Sequence, residues 1–196
     1  MRLIISPAKK MREDGDFLAP RQAPALLERA AVLAEWLRGL DYTALKKLLA
    51  CNDGIAELNF RRFQEMDLRR PGTPALLSYD GIQYQYMAPH LFTRPQFEYA
   101  ETHLRILSGF YGVLRPFDGV TPYRLEMGAK LETDGARDLY GFWGDKLARV
   151  LEPGDGPVPG VQPGGGPPPA PRRSPGRLHL WPAPAGRPGG GAGCSL

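Results

Sequence analysis

A compositional break at residue 153 limits what this chain can fold into more than any other feature of its sequence. Of its 21 prolines and 24 glycines, 12 of each fall in residues 153–196. Proline removes a backbone donor and fixes φ, glycine raises the entropy lost on ordering, and the apolar side chains left between them bury too little surface to offset that loss. A packed core is therefore expected only from residues 1–152, which are enough for one domain.

The tail also lacks Phe, Tyr, Met, Ile, Asn and Lys, all of which occur upstream. Codons for these six are the richest in A and T. Two readings account for residues 153–196: a disordered Pro/Gly segment, or a GC-rich gene translated out of frame from about Leu151 onward. The second also explains the codon skew, which a linker does not require.

The formal net charge of +4 invites a polyanionic partner. Four tail arginines (Arg172, Arg173, Arg177, Arg187) against Asp155 account for +3 of it, which leaves residues 1–152 at +1. Only a local cluster of cations is then an argument for nucleic acid. Cys51 and Cys194 are the two cysteines and lie on opposite sides of the break, so neither a disulfide framework nor a cysteine metal site is implied. His90, His103 and His179 are scattered, no metal or cofactor motif is present, and no apolar run approaches the length of a membrane span. A soluble protein of the reducing cytoplasm is the expectation.

Residues 2–5 read as a short buried strand that Pro7 ends, delivering Lys9 and Lys10 to a strand's carboxyl end, where ligand crevices form in open α/β sheets. Residues 24–37 place Leu26, Leu27, Ala30, Leu33, Ala34 and Leu37 at helical spacing between Pro24 and Gly39. Residues 43–49 and 53–66 predict two further helices, followed by a solvated cluster of Arg61, Arg62, Arg69 and Arg70. Residues 75–79 read as a strand, residues 82–86 as a strand or its approach, 96–103 as a helix, 105–108 as a strand and 139–151 as a helix. The interleaving predicts a mixed α/β (α+β) domain.

The densest run is Leu104-Arg105-Ile106-Leu107-Ser108-Gly109-Phe110-Tyr111-Gly112-Val113-Leu114-Arg115-Pro116, followed by Pro122-Tyr123-Arg124-Leu125-Glu126-Met127-Gly128. Gly109 and Gly112 permit a tight turn or a close backbone approach. A helix beginning after that turn would offer N–H groups to a phosphate, with Arg115 or Arg124 adding charge; a plain structural turn has the same glycine spacing. Tyr84, Tyr86, Phe110, Tyr111 and Trp143 are either core aromatics or stacking surfaces for bases.

These runs, with Ile4-Ile5-Ser6-Pro7-Ala8-Lys9-Lys10, Tyr79-Asp80-Gly81-Ile82-Gln83-Tyr84, Lys130 and Leu139-Tyr140-Gly141-Phe142-Trp143-Gly144, resemble the YaaA family of peroxide-stress proteins in unbroken order from Met1 to about Leu151. The resemblance implies a cytoplasmic protein of the hydrogen-peroxide response that binds DNA and limits free intracellular iron and oxidative DNA damage. It also implies a fold with a helix-hairpin-helix-like element. Mapped onto Ser108, Gly109, Tyr111, Gly112 and Arg115, that element would present N–H groups to DNA phosphates without reading sequence. Lys9, Lys10, Arg124, Glu126, Lys130 and Lys146, the charged residues of the matching motifs, are the expected lining of a basic cleft.

The family continues with an Asn-Leu-Ala-Ser-like strand and a basic C-terminal segment, neither of which stands in this sequence. A one-nucleotide shift allows the codons of Gln162-Pro163-Gly164 to read Asn-Leu-Ala. A truncated, frame-altered member of the family is the leading expectation, with reduced phosphate contacts. Two alternatives stay open: an enzyme acting on a nucleotide or base in the Lys/Arg/Glu cleft, and a non-functional product of a frameshifted gene.

Overall fold

The computed structural model describes residues 3–151 apart from 14–16, 71, 132 and 134. The expected Pro/Gly tail, residues 153–196, lies outside the described residues.

The first half is helical because its apolar residues repeat at helical spacing and its boundaries carry caps. Helix α1 (Leu27–Arg38) buries Ala30, Leu33, Ala34 and Leu37 on one face. In α2 (Tyr42–Leu49), the Asp41 carboxylate accepts the Ala44 N–H at 2.8 Å, and in α3 (Asp53–Glu65) the Asn52 side chain accepts the Ile55 N–H at 3.0 Å. Each such cap satisfies a donor that the first turn leaves unpaired and contributes about 1 kcal/mol.

Strand β1 (Leu3–Ile5) pairs in parallel with β5 (Leu104–Ser108), Leu3 opposite Leu104 and Ile5 opposite Ile106. On its other edge β5 pairs antiparallel with β6 (Gly112–Leu114). Two small antiparallel ladders flank this sheet: β2 (Lys10–Met11) with β4 (Tyr79–Asp80), and β3 (Thr73–Pro74) with β7 (Gly119–Val120). Helix α6 (Arg94–His103) leads directly into β5. The result is a single mixed α/β domain, as expected, with Trp143, Tyr79, Tyr111, Phe63, Phe110 and Phe117 among its largest fully buried side chains.

Three local expectations are corrected. Residues 75–78 form one helical turn, α4 (Ala75–Ser78), instead of a strand; all four are buried, and hydropathy period does not separate a short buried strand from a buried turn. Residues 82–86 lie in helix α5 (Ile82–Met87), which exposes Ile82 and Tyr86 and buries Tyr84, whose hydroxyl donates to the Ser6 carbonyl at 2.9 Å. The helix expected over 139–151 is two, α7 (Leu139–Trp143) and α8 (Lys146–Leu151), parted at Gly144, whose φ of 52° lies in the left-handed region.

The largest correction concerns residues 108–115. Where the resemblance places a helix-hairpin-helix-like element, the structure has the β5–β6 hairpin, with Ser108 directly opposite Gly112. The Phe110 and Tyr111 N–H groups both donate to Ser108 Oγ, at 3.2 and 2.8 Å, so they point into the turn and not toward a ligand.

A basic groove at the carboxyl edge of the sheet

β1 and β5 run in parallel, so the loops that leave their carboxyl ends stand side by side, where crevices form in α/β sheets. Pro7 ends β1, and residues 6–9 carry Lys9 to this edge. Gly81 packs so closely under the loop that a Cβ there would sit 2.8 Å from the Ala8 methyl.

Arg124 and Glu126 reach the same edge through a buried scaffold. The Tyr123 hydroxyl lies 2.6 Å from Ser108 Oγ and 2.9 Å from the Tyr79 hydroxyl, all three residues being buried. Burial raises the pKa of both phenols above its ordinary value, so the chain of hydroxyls stays neutral. Tyr123 directly precedes Arg124, and anchoring one fixes where the other emerges.

Glu126 Oε1 accepts from Lys9 Nζ at 2.9 Å and from Arg124 Nη2 at 3.3 Å, one carboxylate oxygen between two cations. Lys9 is largely exposed, whereas the Arg124 side chain is only 15% exposed. Its Nε–H is buried and has no hydrogen-bond partner among the described residues. A buried guanidinium donor left unmatched is costly.

These residues line a groove of about 760 Å³. Among the described residues its cations are Lys9, Lys47, Arg124 and Lys130, and its carboxylate is Glu126. Trp36 in the last turn of α1, Leu40 just beyond it and Leu48 of α2 form the apolar wall. A second depression of about 380 Å³ beside it shares Lys9, Arg124 and Glu126 and reaches Gly109 and Tyr123.

Four of the six residues expected in the cleft are thus gathered: Lys9, Arg124, Glu126 and Lys130. Lys10 turns to the β2–β4 ladder, where its Nζ lies 2.9 Å from Asp80 Oδ2 and holds that carboxyl below its ordinary pKa. Lys146 opens α8 and lines neither cavity. Of the expected DNA contacts, Ser108, Gly109, Tyr111 and Gly112 are buried, and Arg115 is exposed, with its Nη1 3.4 Å from Gln22 Oε1.

Trp36, Leu40, Lys47 and Leu48 were not expected here. The available signal was that Trp36 falls off the buried stripe of α1. Of the arginine cluster, Arg62 and Arg70 line a separate cavity of about 390 Å³, where Glu13, Glu65 and Asp67 balance them. Among the described residues no group of three His, Cys, Asp or Glu side chains is placed to hold a metal ion, and no helix is long and apolar enough to cross a membrane.

Fold and groove together describe a mixed α/β domain with a net positive, tryptophan-walled groove. Residues 1–158 match the family model described as peroxide stress protein YaaA, and the chain belongs to that family. It is 60% identical over 151 residues to a UPF0246 protein of Desulfitobacterium hafniense, covering 77% of this chain and 60% of the relative. A UPF0246 protein of Agathobacter rectalis is 52% identical over 151 residues, with coverage of 77% and 61%. One of Lactiplantibacillus plantarum is 49% identical over 158 residues, with coverage of 81% and 64%. The chain therefore spans about three-fifths of the length of these relatives.

Proposed function

We propose that this peroxide-stress protein binds DNA without reading its sequence, through the groove bounded by Lys9, Lys47, Arg124 and Lys130, and thereby supports protection against iron-driven oxidative damage in the cytoplasm. The observation that carries the DNA part is the excess, among the described residues of the groove, of four cations over one carboxylate in a domain that is close to neutral outside its tail. Contacts from lysine and arginine to phosphate position a duplex but carry no base information. The iron and cytoplasmic parts rest on the family resemblance.

The groove replaces the 108–115 turn as the phosphate-contacting surface in this reading. The hairpin acts beneath it, as the support of Arg124 and Glu126.

Binding to several unrelated duplexes as a function of salt tests the proposal. Affinity falls linearly in log–log form as salt rises, and Lys130→Gln weakens every duplex about equally. Salt-independent affinity, or a Lys130→Gln effect confined to one sequence, overturns it.

A further inference from the structure

We propose that the groove is a binding site for a single nucleotide, with the phosphate held by the Lys9, Lys47, Lys130 and Arg124 cations and the base laid against Trp36. The inference rests on the reading of this groove as the phosphate-binding surface and names the ligand that its shape and wall chemistry admit.

Three observations converge. At about 760 Å³ the groove has the volume of a small-molecule site, whereas a stacked duplex offers only its backbone to an opening of this size. One wall is apolar, with Trp36, Leu40 and Leu48 together, and a surface evolved only for backbone phosphates gains nothing from such a wall. Trp36 is half-buried beside the fully buried Leu33 and Leu37 stripe, and no other ring stacks on it among the described residues. An indole left in this state at the edge of a cationic rim suits a flat heteroaromatic ligand that carries negative charge.

Arg124 adds direction. Its side chain lines both cavities, with the Glu126 carboxylate already on the guanidinium's Nη2. A phosphate at this junction leaves the base to extend toward α1. The nucleotide is either free or an unstacked residue of a single strand, since both present the same base and phosphate.

Calorimetric titration of the full chain with 5′-dAMP and with inorganic phosphate tests this. The nucleotide is expected to bind at least tenfold tighter than phosphate. Trp36→Ala is expected to remove about tenfold of the nucleotide's affinity and leave phosphate unchanged, Trp36→Phe to retain most of it, and Lys130→Gln to weaken both ligands. Equal affinity of the wild-type chain for the two ligands overturns the proposal. So does nucleotide binding that is unchanged in Trp36→Ala. Displacement of dAMP by a single-stranded oligonucleotide assigns the ligand to a strand, and dAMP binding that survives excess oligonucleotide assigns it to the free nucleotide. Salt-sensitive duplex binding without nucleotide binding sinks this inference and leaves the proposed function standing; nucleotide binding without duplex binding does the reverse.

Discussion

Gly109 sits so close to the Leu125 carbonyl that a Cβ added to it would lie 2.7 Å from that oxygen. The same Cβ would come within 3.0 Å of the Met127 nitrogen, so the β5–β6 turn and the strand of chain bearing Arg124 and Glu126 are in backbone contact. Trp143 closes the arrangement from below, donating from Nε1 to the Gly109 carbonyl at 2.9 Å.

Gly109→Ala is therefore expected to push residues 125–127 outward. The neighbours are backbone atoms, which cannot turn aside as a flexible side chain does, and overpacking of this kind costs about 1–3 kcal/mol. Thermal melting reads the loss of stability. Weaker DNA binding by the fraction that remains folded reads the displacement of Arg124 and Glu126.

Tyr123→Phe removes the hydroxyl that joins Ser108 to Tyr79. Both partners stay buried and lose a bond, at a cost of about 1–3 kcal/mol. Denaturant unfolding measures it. Ser108 keeps the Phe110 and Tyr111 N–H donors, so the hairpin turn itself is expected to survive.

Glu126→Gln releases Lys9 and Arg124 from their shared carboxylate and adds one net positive charge to the groove. The Lys9 pair is exposed and contributes little to stability, and the largely buried Arg124 keeps the glutamine's amide oxygen as an acceptor, so the variant is expected to melt close to wild type. Duplex affinity at low salt is expected to rise several-fold, and the gain to shrink as salt screens the groove. A fluorescence-anisotropy salt series gives both quantities.

Asp118 sets a pH dependence. Burial pushes its carboxyl up to about 6, against the opposing hydrogen bond from the Arg115 N–H at 2.9 Å. Because the folded value lies above the unfolded one, near 3.8, its contribution is fully present below about pH 4 and is lost as pH rises through 6. At 1.4 kcal/mol per unit this amounts to roughly 3 kcal/mol. Asp118→Asn keeps an acceptor for the Arg115 N–H and is expected to flatten stability between pH 4 and 6, as measured by urea unfolding across that range.

How much was legible depended on the length of the signal. The stripe from Ala30 to Leu37 and the apolar positions of residues 43–49 and 53–66 are local, and the helices they predict are present. Residues 75–78 and 82–86 are apolar or alternating over only a few positions and form helical turns; at the first, the Ala75 and Leu76 N–H groups donate to the Asp118 and Pro116 carbonyls. The glycines at 109 and 112 announced a turn, but a turn presented to phosphate and a turn packed under Leu125 and Trp143 require the same residue.

The cleft was legible as a set of charges and not as a shape. Lys9, Arg124, Glu126 and Lys130 stand in motifs that the family resemblance brings together, whereas Trp36 and Lys47 belong to helices whose periodicity explains them without any ligand.

From the sequence alone came the compositional break at residue 153, the helices with long periodic faces, the mixed α/β class and the family, because composition, periodicity and ordered motifs are properties of the chain taken in order. Only the tertiary structure decided that residues 108–114 form a buried β-hairpin, that Lys10 leaves the cleft for Asp80 and that Trp36 enters it. Those outcomes depend on which distant backbones pack together once β1 pairs with β5. A side chain two residues from its neighbour in sequence is sent to a groove or to a core by contacts that no local pattern contains.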